Sequence, residues 1–149
     1  MSFDPELDKA PRLLARAARA AGSRPDLTQG GGGNVSVKTG AERMLVKASG
    51  VRLKDVTPSS GYSLVNYGNI RRRIAGGPGE EAEFSDFICA QALPLKGVAA
   101  AKPSIEAGFH ALLVEGEVEK ARGRFGKALL KDPGQPWALY AQALLATRV

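Results

Sequence analysis

The sequence predicts an α/β domain in which an N-terminal helix and further helices cover a short, mainly antiparallel sheet, followed by a C-terminal α-helical hairpin. Two patterns predict this class. Short stretches that alternate apolar and polar residues lie between stretches with helical spacing, and helical spacing alone continues beyond residue 104. We therefore divide the chain into an α/β part at residues 1–103 and a helical segment at residues 104–149.

The first helix has clear signals at both ends. Asp4 is a typical N-cap, Pro5 suits the first helical position, and Glu6 is favoured in the first turn. Apolar residues then recur with helical spacing until Gly22, which is a natural C-terminal stop. These signals predict a helix over residues 5–21 that packs on a sheet.

Three strands are predicted next. Residues 34–39 and 43–48 form a hairpin around a short turn, and residues 62–67 form a third strand. Residues 70–74 either extend that third strand or begin a short helix.

Two more helices follow in the sequence. Residues 80–93 carry an apolar side and are ended by Pro94, and a small-residue linker occupies residues 96–101. Ser104 is the expected N-cap of the next helix.

Composition is typical of a globular chain, with 44% apolar and 24% charged residues among 149. No apolar run is long enough to cross a membrane, and the N-terminus has no apolar signal core. We therefore expect a cytoplasmic protein that makes no contact with membranes. The single cysteine, Cys89, excludes an internal disulfide and is expected to be buried.

The net charge of +6 is spread along the chain, with one dense basic run at Arg71–Arg73. No aromatic residues interleave with that run, as they do on platforms that stack single-stranded nucleic acid. We interpret the run as a solvated end of a strand or helix, and predict no nucleic-acid partner.

A run of four glycines at residues 30–33 leads directly into Asn34 and the first strand. Glycines let the backbone adopt positive φ and approach a ligand closely. Such a loop can present N–H groups to an anion, and Asn34 adds an amide donor. The alternative is an ordinary solvated turn, and the glycines alone leave both interpretations open.

Three motifs in order resemble the class II aldolase/adducin family. They are Gly-Asn-Val-Ser-Val-Lys at residues 33–38, Lys-Ala-Ser-Gly at residues 47–50, and Pro-Ser-Ile-Glu at residues 103–106 with His110 one turn later. The resemblance covers residues 1–113. The glycine-rich loop and the Lys-Pro-Ser-Ile-Glu segment look like the aldolase half of rhamnulose-phosphate-aldolase/dehydrogenase-type proteins.

This resemblance implies a site for the phosphate or carboxylate of a small ketose. By motif position, the anion is bound by Asn34, Ser49, Gly50 and Ser104, and Glu106 is the catalytic acid/base carboxylate. In the family, Zn²⁺ polarises the ketose carbonyl while that glutamate moves a proton. The expected partner is a small phosphorylated sugar or another anion, and the resemblance also implies a homo-oligomer.

The zinc ligands of the family are missing from this sequence. The family uses a His-x-His pair and a third histidine, whereas the chain contains His110 alone. We therefore assign no metal ligand and no cofactor, and predict an aldol-cleaving lyase by family that is inactive as this chain.

The last third of the sequence resembles a tetratricopeptide repeat. Ala121, Phe125, Ala128 and Pro133 carry the spacing of the second repeat helix. Residues 104–149 would supply one and a half repeats, which need neighbours to bury their faces. The alternative function is therefore a non-catalytic module that binds a protein partner through this hairpin.

Overall fold

The structure is a computed structural model, and it describes residues 5–26, 28, 32–77 and 79–113. The chain divides into two compact units, Met1–Gly108 and Phe109–Val149. Most of the tetratricopeptide-like hairpin predicted from the sequence lies outside the described residues.

The described part of the chain alternates helices with a small sheet. In chain order the elements are α1 (Pro5–Gly22), β1 (Ser36–Thr39), β2 (Arg43–Lys47), a 3-10 turn (Leu53–Asp55), β3 (Tyr62–Asn66), α2 (Tyr67–Ala75), α3 (Glu81–Ala90), β4 (Ala92–Leu93) and α4 (Ala107–Leu112). The strands are ordered β1-β2-β3-β4, and every neighbouring pair is antiparallel. The structure is therefore mixed α/β with an N-terminal helix and an antiparallel sheet.

The predicted hairpin between β1 and β2 is present. Its turn places Ala41 at φ 56° and Glu42 at φ 55°, and the Arg43 N–H donates to the Gly40 carbonyl over 3.3 Å. Two central residues with positive φ are typical of a type I′ turn, whose twist matches that of the strands. Thr39 pairs with Arg43 across residues 40–42, and this register puts Leu45 opposite Val37 of β1 and Leu64 of β3.

One predicted helix is too long at its C-terminal end. The prediction of residues 80–93 was wrong from Gln91 onward, because α3 ends at Ala90 and residues Ala92–Leu93 form β4. Leu93 pairs with Leu64 of β3, so the short strand covers an edge that β3 otherwise leaves unpaired. Helical spacing in the sequence does not reveal this pairing because the partner strand lies far away in the chain.

The ambiguous stretch at residues 70–74 is helical. Asn66 ends β3 and caps α2, since its side-chain oxygen accepts from the Asn69 N–H over 2.9 Å. Asparagine is among the best N-cap residues. The third strand therefore ends one residue earlier than predicted.

The core lies between α1 and one face of the sheet. Its buried members from α1 are small or aliphatic, and they pack with apolar residues of β2, β3 and the 3-10 turn: Ala10, Leu14, Ala15, Ala18, Leu45, Leu53, Val56, Tyr62 and Leu64. Met44 and Val46 point to the opposite face and are also fully buried. Among the helices of the described residues, none combines the length and the apolar character that a membrane span requires.

We expect Gly33→Ala to destabilise the protein by about 2–4 kcal/mol. Gly33 has φ +84°, and a Cβ there would lie 2.7 Å from Leu53 Cδ1 and 2.8 Å from Thr28 Cγ2. The added methyl group therefore meets both backbone strain and a steric clash. Urea denaturation measures the change in the free energy of unfolding.

Gly97→Ala is the matched control. Gly97 has nearly the same φ, +78°, but a Cβ built there has no atom within 4 Å in the part of the chain that the structure describes. It should lose only the backbone component, about 1–2 kcal/mol. Equal losses in the two variants would contradict the close packing of Gly33 against Leu53.

Candidate functional site

Asn34 lies just before β1, and its amide has a defined orientation. Its side-chain oxygen accepts from the Val35 N–H over 2.8 Å, while its Nδ2 lies 3.4 Å from Glu106 Oε2. The residue is only 8% exposed. Because the backbone holds the oxygen, the NH₂ group of Asn34 faces the Glu106 carboxylate.

Ser104 and Glu106 complete this cluster. The Ser104 hydroxyl donates to Glu106 Oε2, and Ser104 is buried. Two donors from distant parts of the sequence thus converge on one carboxylate oxygen. Among the described residues none donates to Oε1.

The segment that carries Ser104 runs alongside the end of β2. The Ser104 N–H donates to the Lys47 carbonyl over 3.3 Å, and the Ser49 N–H donates to the Lys102 carbonyl over 2.8 Å. Ala48 and Pro103 form an antiparallel bridge between these bonds. This pairing brings the segment that carries Ser104 and Glu106 to the C-terminal end of β2, where the next turn begins.

That turn contains Ser49 and Gly50, both of which are exposed. Gly50 has φ +76°, and no atom of the described residues lies within 4 Å of a Cβ built on it. Positive φ at the third turn position is typical of a type II turn with glycine there. The Ser49 N–H is already bonded to Lys102, so Ser49 offers its hydroxyl, whereas the Gly50 N–H has no acceptor among the described residues.

Lys47 is a member of this site that the sequence analysis did not single out. It is 4% exposed, and its Nζ donates to the carbonyls of Ala48 (3.1 Å) and Val51 (2.7 Å). Burial lowers the pKa of the Lys47 ammonium below its usual value, and the Glu106 carboxylate opposes that shift. The available signal was a lysine that continues the apolar run Met44–Val46 and precedes Ala48.

His110 and Cys89 are the remaining candidate ligands for a metal. His110 is 6% exposed and its ring stacks on Phe109 with centroids 4.6 Å apart. Cys89 is a free cysteine and is only partly buried, where full burial was expected. No group of three His, Cys, Asp or Glu side chains that could hold a metal occurs among the described residues. A catalytic zinc needs three protein ligands, so the described residues do not fit the zinc that the resemblance implies.

The arrangement offers one proton acceptor beside several neutral donors. Glu106 is a half-buried carboxylate, and general base catalysis needs such a group within hydrogen-bond reach of the substrate. The Asn34 amide, the Ser49 hydroxyl and the Gly50 N–H are donors suited to an anion. The five residues predicted from the motifs therefore lie around the C-terminal end of β2, and their roles stay predictions.

The family comparison covers the part of the chain that contains the candidate site. The model for the Class II Aldolase and Adducin N-terminal domain matches residues 12–117. This match spans most of the chain and includes Asn34, Ser49, Gly50, Ser104 and Glu106. The chain therefore belongs to the class II aldolase and adducin family.

A solved structure is similar to the same region. The N-terminal class II aldolase domain of a conserved protein from Thermoplasma acidophilum matches with a TM-score of 0.58 and 25% sequence identity. The match covers 76% of this chain and 53% of that chain, so the chain spans about half the length of this relative. No curated protein matches the sequence significantly.

Proposed function

We propose that this domain binds the phosphate of a small phosphorylated sugar, a ketose 1-phosphate, at a site formed by Asn34, the Ser49–Gly50 turn and Ser104. The observation that carries the proposal is the convergence of Asn34 and Ser104 on Glu106, in a segment whose backbone pairs with Lys47 and Ser49 at the start of the turn. Family membership adds support, because fold alone does not determine function.

Ligand binding would change the partner of one hydroxyl. The Ser104 proton now goes to Glu106, and a hydroxyl has a single proton to donate. A phosphate that takes this hydrogen bond would release Glu106 Oε2 from one of its two donors. Glu106 is thereby available to accept a proton from the bound ketose, which is the acid/base role that the resemblance implies.

We propose further that this chain does not carry out the zinc-dependent aldol cleavage of the family by itself. The donor set described above lacks three metal ligands, and that cleavage depends on a metal to stabilise the enediolate. The supported activity is therefore sugar-phosphate binding by a lyase-type domain.

The narrower family assignment, the cellular location and the oligomeric state are also proposals. The Lys-Pro-Ser-Ile-Glu segment favours the rhamnulose-phosphate-aldolase/dehydrogenase-type variant. We also propose a cytoplasmic location, and the family resemblance supports a homo-oligomer. The alternative function, a protein-interaction module, depends on the tetratricopeptide-like hairpin beyond the described residues.

Gly50→Ala is expected to weaken binding of fructose 1-phosphate by about 10-fold or more. A Cβ on Gly50 would occupy open space where the ligand approaches the turn. The loss of one hydrogen bond between the backbone and a charged group accounts for a change of this size. Isothermal titration calorimetry of the wild type and the variant measures it.

Gly97→Ala is again the appropriate control, because it shares the positive φ and the open space of Gly50 but lies outside the cluster. Both alanine variants should lose similar stability, and only Gly50→Ala should lose affinity. Binding that is unchanged in Gly50→Ala, or absent in the wild type, would refute the proposed site.

A further inference from the structure

A single buried ammonium holds both ends of the Ser49–Gly50 turn. The turn runs from Ala48 to Val51, and Lys47 Nζ donates to the carbonyls of these two residues over 3.1 and 2.7 Å. The turn's own hydrogen bond, from the Val51 N–H to the Ala48 carbonyl, is long at 3.5 Å. The side chain of Lys47 is therefore the stronger constraint on the shape of the turn.

The backbone of Lys47 connects the other parts of the site. Its N–H donates to the Val35 carbonyl over 3.1 Å, directly after Asn34. Its carbonyl accepts from the Ser104 N–H. The two backbone groups thus fix the segments that carry Asn34 and Ser104, while the side chain fixes the turn.

The burial of the Lys47 side chain needs a physical explanation. A charged side chain is costly to bury, and Lys47 is only 4% exposed, so its N–H groups need hydrogen-bond acceptors and its charge needs to be balanced. Two carbonyl oxygens take two of the three N–H groups, and Glu106 provides the nearby negative charge. An apolar side chain at this strand end would leave the two carbonyls without this donor.

We propose that Lys47 is a positioning residue for ligand binding. Its ammonium draws the Ala48 and Val51 carbonyls inward, and the Gly50 N–H and the Ser49 hydroxyl consequently face outward toward the phosphate. This inference rests on the proposed function for the identity of the ligand. The shape of the turn without ligand can be measured independently of that function.

Lys47→Met tests the role because it keeps the length of the side chain and removes both the charge and the donors. We expect affinity for fructose 1-phosphate to fall by about 10-fold or more. The ligand-free variant should also show displaced amide resonances for Ser49 and Gly50 in ¹H–¹⁵N spectra. Lys47→Arg, which retains charge and donors, should restore part of both properties.

Lys102→Met is the matched control. Lys102 is exposed, and its backbone carbonyl already bonds the Ser49 N–H. Removing its side-chain charge should change affinity by no more than about twofold, because exposed charges contribute little. Equal losses in Lys47→Met and Lys102→Met would mean that general electrostatic attraction, and not positioning, explains the effect.

Two results separate this inference from the proposed function. If wild-type protein binds no fructose 1-phosphate, the proposed function fails, but displaced Ser49 and Gly50 amides in ligand-free Lys47→Met still support positioning. If Lys47→Met binds normally and its turn amides do not move, the inference fails while the proposed function stands.

The wild-type chain provides a further test if Lys47→Met does not fold. Adding fructose 1-phosphate should shift the Lys47 ammonium ¹⁵Nζ resonance together with the Gly50 amide resonance. A titration that shifts the Gly50 amide and leaves the ammonium unmoved would overturn the inference.

Discussion

Replacement of Leu14 by alanine is expected to lower the free energy of unfolding by about 2–5 kcal/mol. Leu14 is fully buried, and it packs within the cluster that joins α1 to β2 and β3. Truncation removes apolar contact and leaves a cavity that a closely packed interior fills only in part. Total stabilities of small domains are about 5–15 kcal/mol, so the loss is a large share. Urea denaturation followed by circular dichroism measures it.

The neighbouring residue supplies the control. Leu13 is 51% exposed on the same helix, and Leu13→Ala should change stability by no more than about 0.5 kcal/mol. Both substitutions remove the same side-chain atoms from one helix, so they differ chiefly in burial. Similar losses in the two variants would show that α1 does not pack on the sheet through Leu14.

Local signals in the sequence were sufficient for the elements that depend on local chemistry. The helix predicted over residues 5–21 matches α1, because its start and stop signals all lie within the helix or beside it. The β1–β2 hairpin was predicted for the same reason, since alternation and a short turn define it. Both strands proved slightly shorter than predicted.

Pairings between distant segments were not predictable in this way. Ala92–Leu93 has no strand signal of its own, and it becomes β4 only because β3 offers an unpaired edge. Likewise, the bond from Ser49 to the Lys102 carbonyl removes a backbone donor that the sequence left open. Both features depend on contacts between segments that are many residues apart in the chain.

The candidate site likewise contains residues that the sequence predicted and one that it did not. The motifs identified Asn34, Ser104 and Glu106, and in the structure the first two both donate to the Glu106 carboxylate. Lys47 was missed because lysine at a strand end is ordinarily exposed. Its ammonium is bonded to the carbonyls of Ala48 and Val51, and this pairing has no signal in the local sequence.

Zinc loading followed by desalting is expected to leave far less than one zinc ion per chain. A catalytic zinc takes three protein ligands, and the sequence contains a single histidine. The described residues bring together no three suitable side chains. Elemental analysis measures the metal content, and zinc-dependent cleavage of fructose 1-phosphate should be undetectable in the same samples.

Retained zinc would contradict this expectation, and its stoichiometry would indicate where the ligands are. One zinc per chain that is lost in Glu106→Gln, His110→Ala or Cys89→Ser would mean that these side chains meet in a way the described residues do not show. One zinc per three chains, in a trimer that loses the metal on His110→Ala, would place three copies of His110 around a symmetry axis. Glu106→Gln would then retain the metal, which separates the two explanations. Binding of fructose 1-phosphate at Gly50 is independent of all these outcomes, because its donors are neutral protein groups and not a metal.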